Sequence, residues 1–172
     1  MTLGNPNEEE SECNLKKKPA NLVSIRLAKI EDSLAVSSLL SEWLKLPKTD
    51  ARLNQIKKAI REREILVAVD PDKRRVVGFV HAILHNDPIS GGQLVYVTAF
   101  YGRKDFREMG VGFRLLKILM ARAAKNGAVG AEVSTTSRRA IKLYRRLGFK
   151  QFKGDIGEIL LGLDFADVRG KV

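Results

Sequence analysis

The chain holds a single cysteine, Cys13, so it cannot close an internal disulfide, and no metal-ligand partners stand near it. The thiol reads as incidental. Long apolar runs are missing too: nothing approaches the roughly 20 residues that a membrane-crossing helix needs. Residues 1–20 are polar, with Glu8, Glu9, Glu10 and Glu12 where an export signal would need an apolar segment. Both absences point to a cytoplasmic protein. Aromatic residues make up only 6% of the 172, which leaves little for a base-stacking nucleic-acid platform. What is present is a 44% hydrophobic chain, long enough for one sizeable core and short for two.

Two familiar phosphate loops are also absent. A P-loop needs Gly-x-x-x-x-Gly-Lys-Ser/Thr, but Gly110 is followed by Leu115, Leu116 and Lys117 at the matching places, with no hydroxyl for a metal. The dinucleotide fingerprint wants a third small residue where Leu115 stands, although Glu132 lies at the right distance to bind a ribose. What the sequence does have is Arg107-Glu108-Met109-Gly110-Val111-Gly112, between the apolar run Leu94–Tyr101 and the helical pattern of Phe113–Asn126. A strand that passes through such a loop into a helix N-terminus can hold an anion. Glycines at 110 and 112 let backbone N–H groups close on it, the helix dipole adds attraction, and Arg107 adds a fixed charge. A strand–helix turn without any ligand is the competing reading.

Charge is concentrated in the same region. The formal net charge is +11, which by itself suggests nucleic acid. Residues 101–126 hold seven Lys/Arg against Asp105 and Glu108, and residues 138–150 hold Arg138, Arg139, Lys142, Arg145, Arg146 and Lys150 with no acid. These two segments carry the whole surplus, and the rest of the chain is balanced. Some of these side chains, such as Arg122 and Lys125, read as a solvated helix face.

The remaining pattern gives the organisation. Residues 1–21 lack periodicity and read as a disordered arm, 22–166 as one domain and 167–172 as a tail. Val23–Leu27 is predicted as a strand, and a helix capped by Asp32 or Ser33 runs to Leu44, where Pro47 stops it. A second helix spans Asp50 to Arg63. Glu64–Val69 and Val76–His85 form a hairpin, and Leu94–Tyr101 a fourth strand. Ala131–Thr135 follows as a fifth, and Lys150–Lys153 and Glu158–Phe165 pair around a Gly154-Asp155 turn. Between them Ala140–Leu147 is helical, with Ala140, Leu143, Tyr144 and Leu147 on one face and Gly148 closing it. The fold class is α+β: a mostly antiparallel twisted sheet of about six or seven strands layered by helices.

The Arg-x-x-Gly-x-Gly loop, with the Ala140-Ile-Lys-Leu-Tyr-Arg-Arg-Leu-Gly-Phe149 helix after it, resembles the GNAT family of acetyl-CoA-dependent N-acetyltransferases. The resemblance runs from about Val23 to Phe165. It implies that residues 107–112 grip the coenzyme A diphosphate and that the fourth strand ends in a backbone oxyanion donor near Tyr101 or Gly102. It also implies that Tyr144 is the general acid for the departing thiolate. In this chain Ser137 stands where the family often has Asn, and Gly102 and Lys104 replace its common Val and Pro. The position of the family's basic Glu falls near Tyr96, a poor base at an ordinary pKa, so a water relay or a carboxylate is expected instead. Glu132 is a candidate, or else a surface carboxylate. His81 and His85 fall on one face of a strand, as a metal pair or as two packed histidines, with no third ligand in sight.

The implied function is transfer of an acetyl group from acetyl-CoA, with no metal, to a primary amine of a small molecule, peptide or protein. A basic nucleic-acid-binding module and a non-catalytic acyl-CoA-binding domain are the alternatives. Neither a membrane nor nucleic acid is an expected partner, and pairing of two copies through an edge strand is compatible with the implied fold.

Overall fold

The computed structural model describes residues 23–107, 109–152 and 159–166; the expected arm, Glu108, the Gly154-Asp155 turn and the tail lie outside them. One sheet dominates. Its strands are β1 (Ser24–Leu27), β2 (Ile65–Asp70), β3 (Arg75–Asp87), β4 (Gly92–Gly102), β5 (Ala128–Thr135), β6 (Lys150–Phe152) and β7 (Ile159–Asp164), in spatial order β1-β2-β3-β4-β5-β7-β6. All neighbours run antiparallel except β4 and β5. A parallel pair needs a crossover, and here it is a helix, α3 (Val111–Lys125).

Strand alternation sorts the core into two layers. Along β2, Ile65 and Val67 face one way, against Val36 and Leu39 of α1 (Ser33–Leu44) and Ile56 and Ile60 of α2 (Asp50–Arg61). Leu66 and Ala68 face the other way, into a larger core with Leu115, Leu116 and Leu119 of α3 and Ile141 and Tyr144 of α4 (Arg138–Arg146).

Several boundaries differ from the sequence reading for local reasons. The second helix stops at Arg61 rather than Arg63, because Arg63 takes a left-handed backbone with φ 63°. The fifth strand begins at Ala128, three residues before Ala131, because Gly127 at φ 92° closes α3 tightly enough for the chain to enter the sheet at once. Helices α3 and α4 each begin two residues early, at Val111 and Arg138.

The entry to α1 is pinned by charge. Asp32 accepts from Arg26 Nη1 and Nη2 at 2.6 and 3.0 Å and from the Lys29 N–H at 2.7 Å. Burial pushes its carboxyl pKa up, but the Arg26 and Lys29 hydrogen bonds outweigh that and hold it below the ordinary value. A depressed folded pKa contributes stability that is present above about pH 4 and lost as pH falls through the folded value. Asp32→Asn should therefore destabilise by about 1–2 kcal/mol at pH 7, discounted because Arg26 is partly exposed. The gap from wild type should shrink at pH 3 in urea titrations; an equal gap at both pH values would show that the carboxylate charge is not its source.

Candidate active site

The parallel pair is short. β4 and β5 are in register from Gln93 and Ala128 to Tyr96 and Glu132, yet β4 continues to Gly102 and β5 to Thr135. Beyond that last rung the two strands part. A β-bulge lies just there: His81 opposes Ala99 and Ala82 opposes Val97, so Thr98 is an extra residue in β4. A bulge bends its strand and raises local twist, which turns the end of β4 away from β5. The gap opens into a cleft of about 510 Å³, walled by residues 97–102 of β4, residues 133–135 of β5 and the N-terminal turns of α3 and α4.

The phase of the β3–β4 ladder decides which backbone groups reach this gap. Arg103 N–H donates to the Val77 carbonyl at 2.9 Å, and antiparallel pairing alternates. Tyr101 N–H is thereby turned to its opposite residue, Phe79, whereas the N–H groups of Phe100 and Gly102 face away from β3, into the cleft. The Tyr101 amide is thus committed to the sheet, whereas the amides of Gly102 and of Phe100, which sequence reasoning did not single out, are not used by β3. A bulge that sets this phase has no signature in residue type.

The Tyr101 side chain lies on the α1 face of the sheet. Its ring stacks on Trp43 at 6.3 Å, its hydroxyl donates to Glu42 Oε1 at 2.8 Å, and the Arg107 guanidinium lies 5.5 Å from its ring centre. Burial and the Glu42 carboxylate push its phenol pKa up. Arg107 also donates from Nε to the Gly102 carbonyl at 3.2 Å, so the arginine is tied to the end of β4 at the cleft wall.

The loop after Arg107 uses its residues in different ways. The side chains of Met109 and Val111 pack into the core, which leaves only their backbone for a ligand. Gly110 takes φ 77° at the start of α3, a conformation that favours glycine. Gly112 serves close approach instead: a Cβ there would lie 2.8 Å from Phe100 Cζ. Glu108 lies outside the described residues. The Arg114 N–H is bonded to the Gly110 carbonyl at 3.0 Å, and the N-cap Gly110 has no side chain to offer, so the amides of Val111, Gly112 and Phe113 have no helical acceptor. Arg107, Arg139, Lys142 and Arg146 line the cleft, and no carboxylate does among the described lining residues. Uncapped amides and four bases suit a diphosphate.

Tyr144 stands at the inner wall. It is 2% exposed, its ring lies 5.2 Å from that of Phe149, and burial pushes its phenol pKa well above the usual range. Ser137 lines the cleft, but its Oγ accepts from the Ala140 N–H at 3.3 Å as the N-cap of α4. Its hydroxyl is therefore used first to start the helix that presents Tyr144. Tyr96 and Glu132 are opposite each other on the last β4–β5 rung. His81 does not pair with His85: its Nε2 meets Glu64 Oε2 at 3.2 Å, and its Nδ1 meets the Thr98 hydroxyl. Among the described residues no group of three or more His, Cys, Asp or Glu could hold a metal ion.

Solved structures share this arrangement of strands and helices. The Arabidopsis thaliana NAA60 structure, in complex with a bisubstrate analogue, is 17% identical with a TM-score of 0.69, covering 83% of this chain and 97% of that one. Arabidopsis thaliana Naa50 in complex with the bisubstrate analogue CoA-Ac-MVNAL is 18% identical with a TM-score of 0.67, covering 84% and 99%. An N-acetyltransferase from Staphylococcus aureus Mu50 is 21% identical with a TM-score of 0.68, covering 83% and 98%. At such identities the likeness shows the fold. No curated protein matches in sequence. The profile of the Acetyltransferase (GNAT) family matches residues 32–149, from the start of α1 through the 107–112 loop to the end of the Tyr144 helix, and the chain belongs to that family of acetyltransferases.

Proposed function

We propose that the protein transfers the acetyl group of acetyl-CoA to a primary amine of a small molecule, peptide or protein by direct attack in this cleft, and that it does so in the cytoplasm. No helix among the described residues is long and apolar enough to cross a membrane. The observation that carries the proposal is the uncapped N-terminus of α3, ringed by Arg107, Arg139, Lys142 and Arg146, at the mouth of a gap that ends on Tyr144.

The amides of residues 109–113 and the Arg107 guanidinium take the diphosphate, and Ser137 supports that wall from the start of α4. The β4–β5 gap accepts the pantetheine arm, because β4 backbone groups that lack a strand partner there can bond its amides. When an amine attacks the thioester, negative charge develops on the carbonyl oxygen, and a preorganised Phe100 or Gly102 N–H stabilises it. Tyr144 donates a hydrogen bond from its phenol to the sulfur as the C–S bond breaks. A nucleic-acid module is not favoured, since four of the surplus bases line this cleft, where the acetyltransferase reading uses them.

Thermal unfolding with acetyl-CoA, against NAD and ATP as controls, tests the site. A ligand at a hundred times its Kd should add about 2.7 kcal/mol of stability. That gain should vanish in an Arg107→Ala, Gly110→Val double variant. A wild type that gains nothing from acetyl-CoA but is retained on DNA in a salt-sensitive way would sink the proposal. Turnover is then measured as thiol release with spermidine, phenethylamine and the pentapeptide Met-Val-Asn-Ala-Leu, the peptide sequence of the Naa50 analogue.

A further inference from the structure

The reaction also needs a proton acceptor for the incoming amine, and the described residues of the cleft lining supply no carboxylate or imidazole. It does supply Thr98, the bulge residue, whose hydroxyl is backed by His81 on β3. Behind His81 stands Glu64, at the entry to β2, with Oε2 3.2 Å from Nε2. The three groups therefore run in line from the cleft wall to the outer end of the sheet. Both His81 and Glu64 side chains are 26% exposed, so protons can leave to solvent at the far end.

Hydrogen-bond roles fix the direction of the line. An ionised Glu64 only accepts, so the neutral His81 ring carries its proton on Nε2 and leaves Nδ1 as an acceptor. The Thr98 hydroxyl then donates to Nδ1, turning an oxygen lone pair toward the cleft. The His81 carbonyl, 3.3 Å from the same hydroxyl, is the competing acceptor for its one proton, so the relay operates when that proton is on the Nδ1 side. Asp–His–Ser arrangements use the same logic, with the acid fixing the tautomer and the imidazole drawing the hydroxyl proton.

We propose that Thr98 is a catalytic residue that takes the proton of the acceptor amine, with His81 and Glu64 as positioning residues that pull that proton away from the cleft. The inference rests on the acetyltransferase reading above. An ammonium gives one proton to Thr98 Oγ while the Thr98 proton moves to His81 Nδ1. The freed amine forms its C–N bond to the carbonyl carbon and the C–S bond breaks. The second nitrogen proton goes to the departing thiolate, and His81 gives up its extra proton to solvent before the next turnover. The bulge thus has two effects: it opens the cleft and it places a hydroxyl in the wall. Glu132 and Tyr96, on the adjacent rung, are the competing acceptors.

The chain has two histidines, so the imidazole ¹⁵N signals of His81 are separated from those of His85 by one His85→Ala variant. Neutral His81 should appear as the Nε2–H tautomer in wild type and lose that preference in Glu64→Gln. A wild-type Nδ1–H tautomer would overturn the relay, and this arm needs no acceptor. With whichever panel amine turns over fastest, Thr98→Val should lower kcat by about tenfold or more with acetyl-CoA affinity unchanged, and Thr98→Ser should retain activity. His81→Ala should fall similarly and recover in part with added imidazole. Loss of acetyl-CoA binding in Thr98→Val, an unchanged kcat, or a fall confined to Glu132→Gln would each overturn the relay. Wild type that does not bind acetyl-CoA would instead sink the acetyltransferase reading, so the two failures are distinguishable.

Discussion

Tyr144→Phe should fold as wild type does, bind acetyl-CoA with unchanged affinity and lose turnover by about 10²-fold or more. Removing the hydroxyl leaves the ring and its contact with Phe149 in place. Burial is the cause of the raised phenol pKa, with no hydrogen-bond partner among the described residues acting on it, so the substitution leaves none of them unsatisfied. Stability should therefore change by less than about 1 kcal/mol. The same burial shapes the role. A thiol has an ordinary pKa of about 8.5 and a phenol of about 10, and Tyr144 is pushed higher still, so complete proton transfer to a thiolate is uphill. On the proposed mechanism Tyr144 would act as a neutral donor whose hydrogen bond strengthens as charge gathers on sulfur, in a site where little water competes. Turnover by Tyr144→Phe at the wild-type rate would reduce the residue to a packed aromatic. Loss of acetyl-CoA binding would show that the hydroxyl holds the cofactor rather than assisting departure.

Tyr144 was legible in the sequence only through the pattern around it. Its helical spacing with Ala140, Leu143 and Leu147 describes a core face, and the residue is indeed in the core; the cleft reaches it there. The backbone of the 107–112 loop was legible for a different reason, because glycines at 110 and 112 answer two separate backbone demands. Elements whose periodicity is local, such as α1, α2 and the β2–β3 hairpin, stand within a few residues of where alternation put them. What the sequence did not disclose depends on registry between distant strands. The parting of β4 from β5 after Tyr96, the bulge at Thr98 and the meeting of Glu64 with His81 each need the partner strand before they exist. The early start of β5 was hidden by its glycines: Gly127 and Gly130 look like a turn, and only one of them makes one.

Gly130 is also where the largest loss of stability is expected. It sits in β5, between Leu94 of β4 and Asp164 of β7. A Cβ built there would come 2.6 Å from the Leu163 carbonyl oxygen and 3.1 Å from Leu94 Cδ2. The first of these neighbours is backbone in the strand that pairs with β5, so it cannot turn aside as a side chain would. Either β7 or β5 has to move, and Gly130→Ala should cost about 3 kcal/mol, the upper end of overpacking. Gly92→Ala makes the control. Its Cβ would lie 2.7 and 2.9 Å from the two Cγ atoms of Val129, an exposed side chain that relieves one contact by changing rotamer and the other by a small outward shift, and the cost should stay well below that of Gly130→Ala. Urea unfolding of the two variants measures the contrast, and equal stabilities would mean that the β5–β7 spacing is soft. A rigid spacing has a functional consequence as well. Residues 133–135 of the same strand form one wall of the cleft, and a shift of β5 would change its width. Gly130→Ala should therefore weaken acetyl-CoA binding under conditions where the variant is still folded, although no atom of residue 130 lines the site.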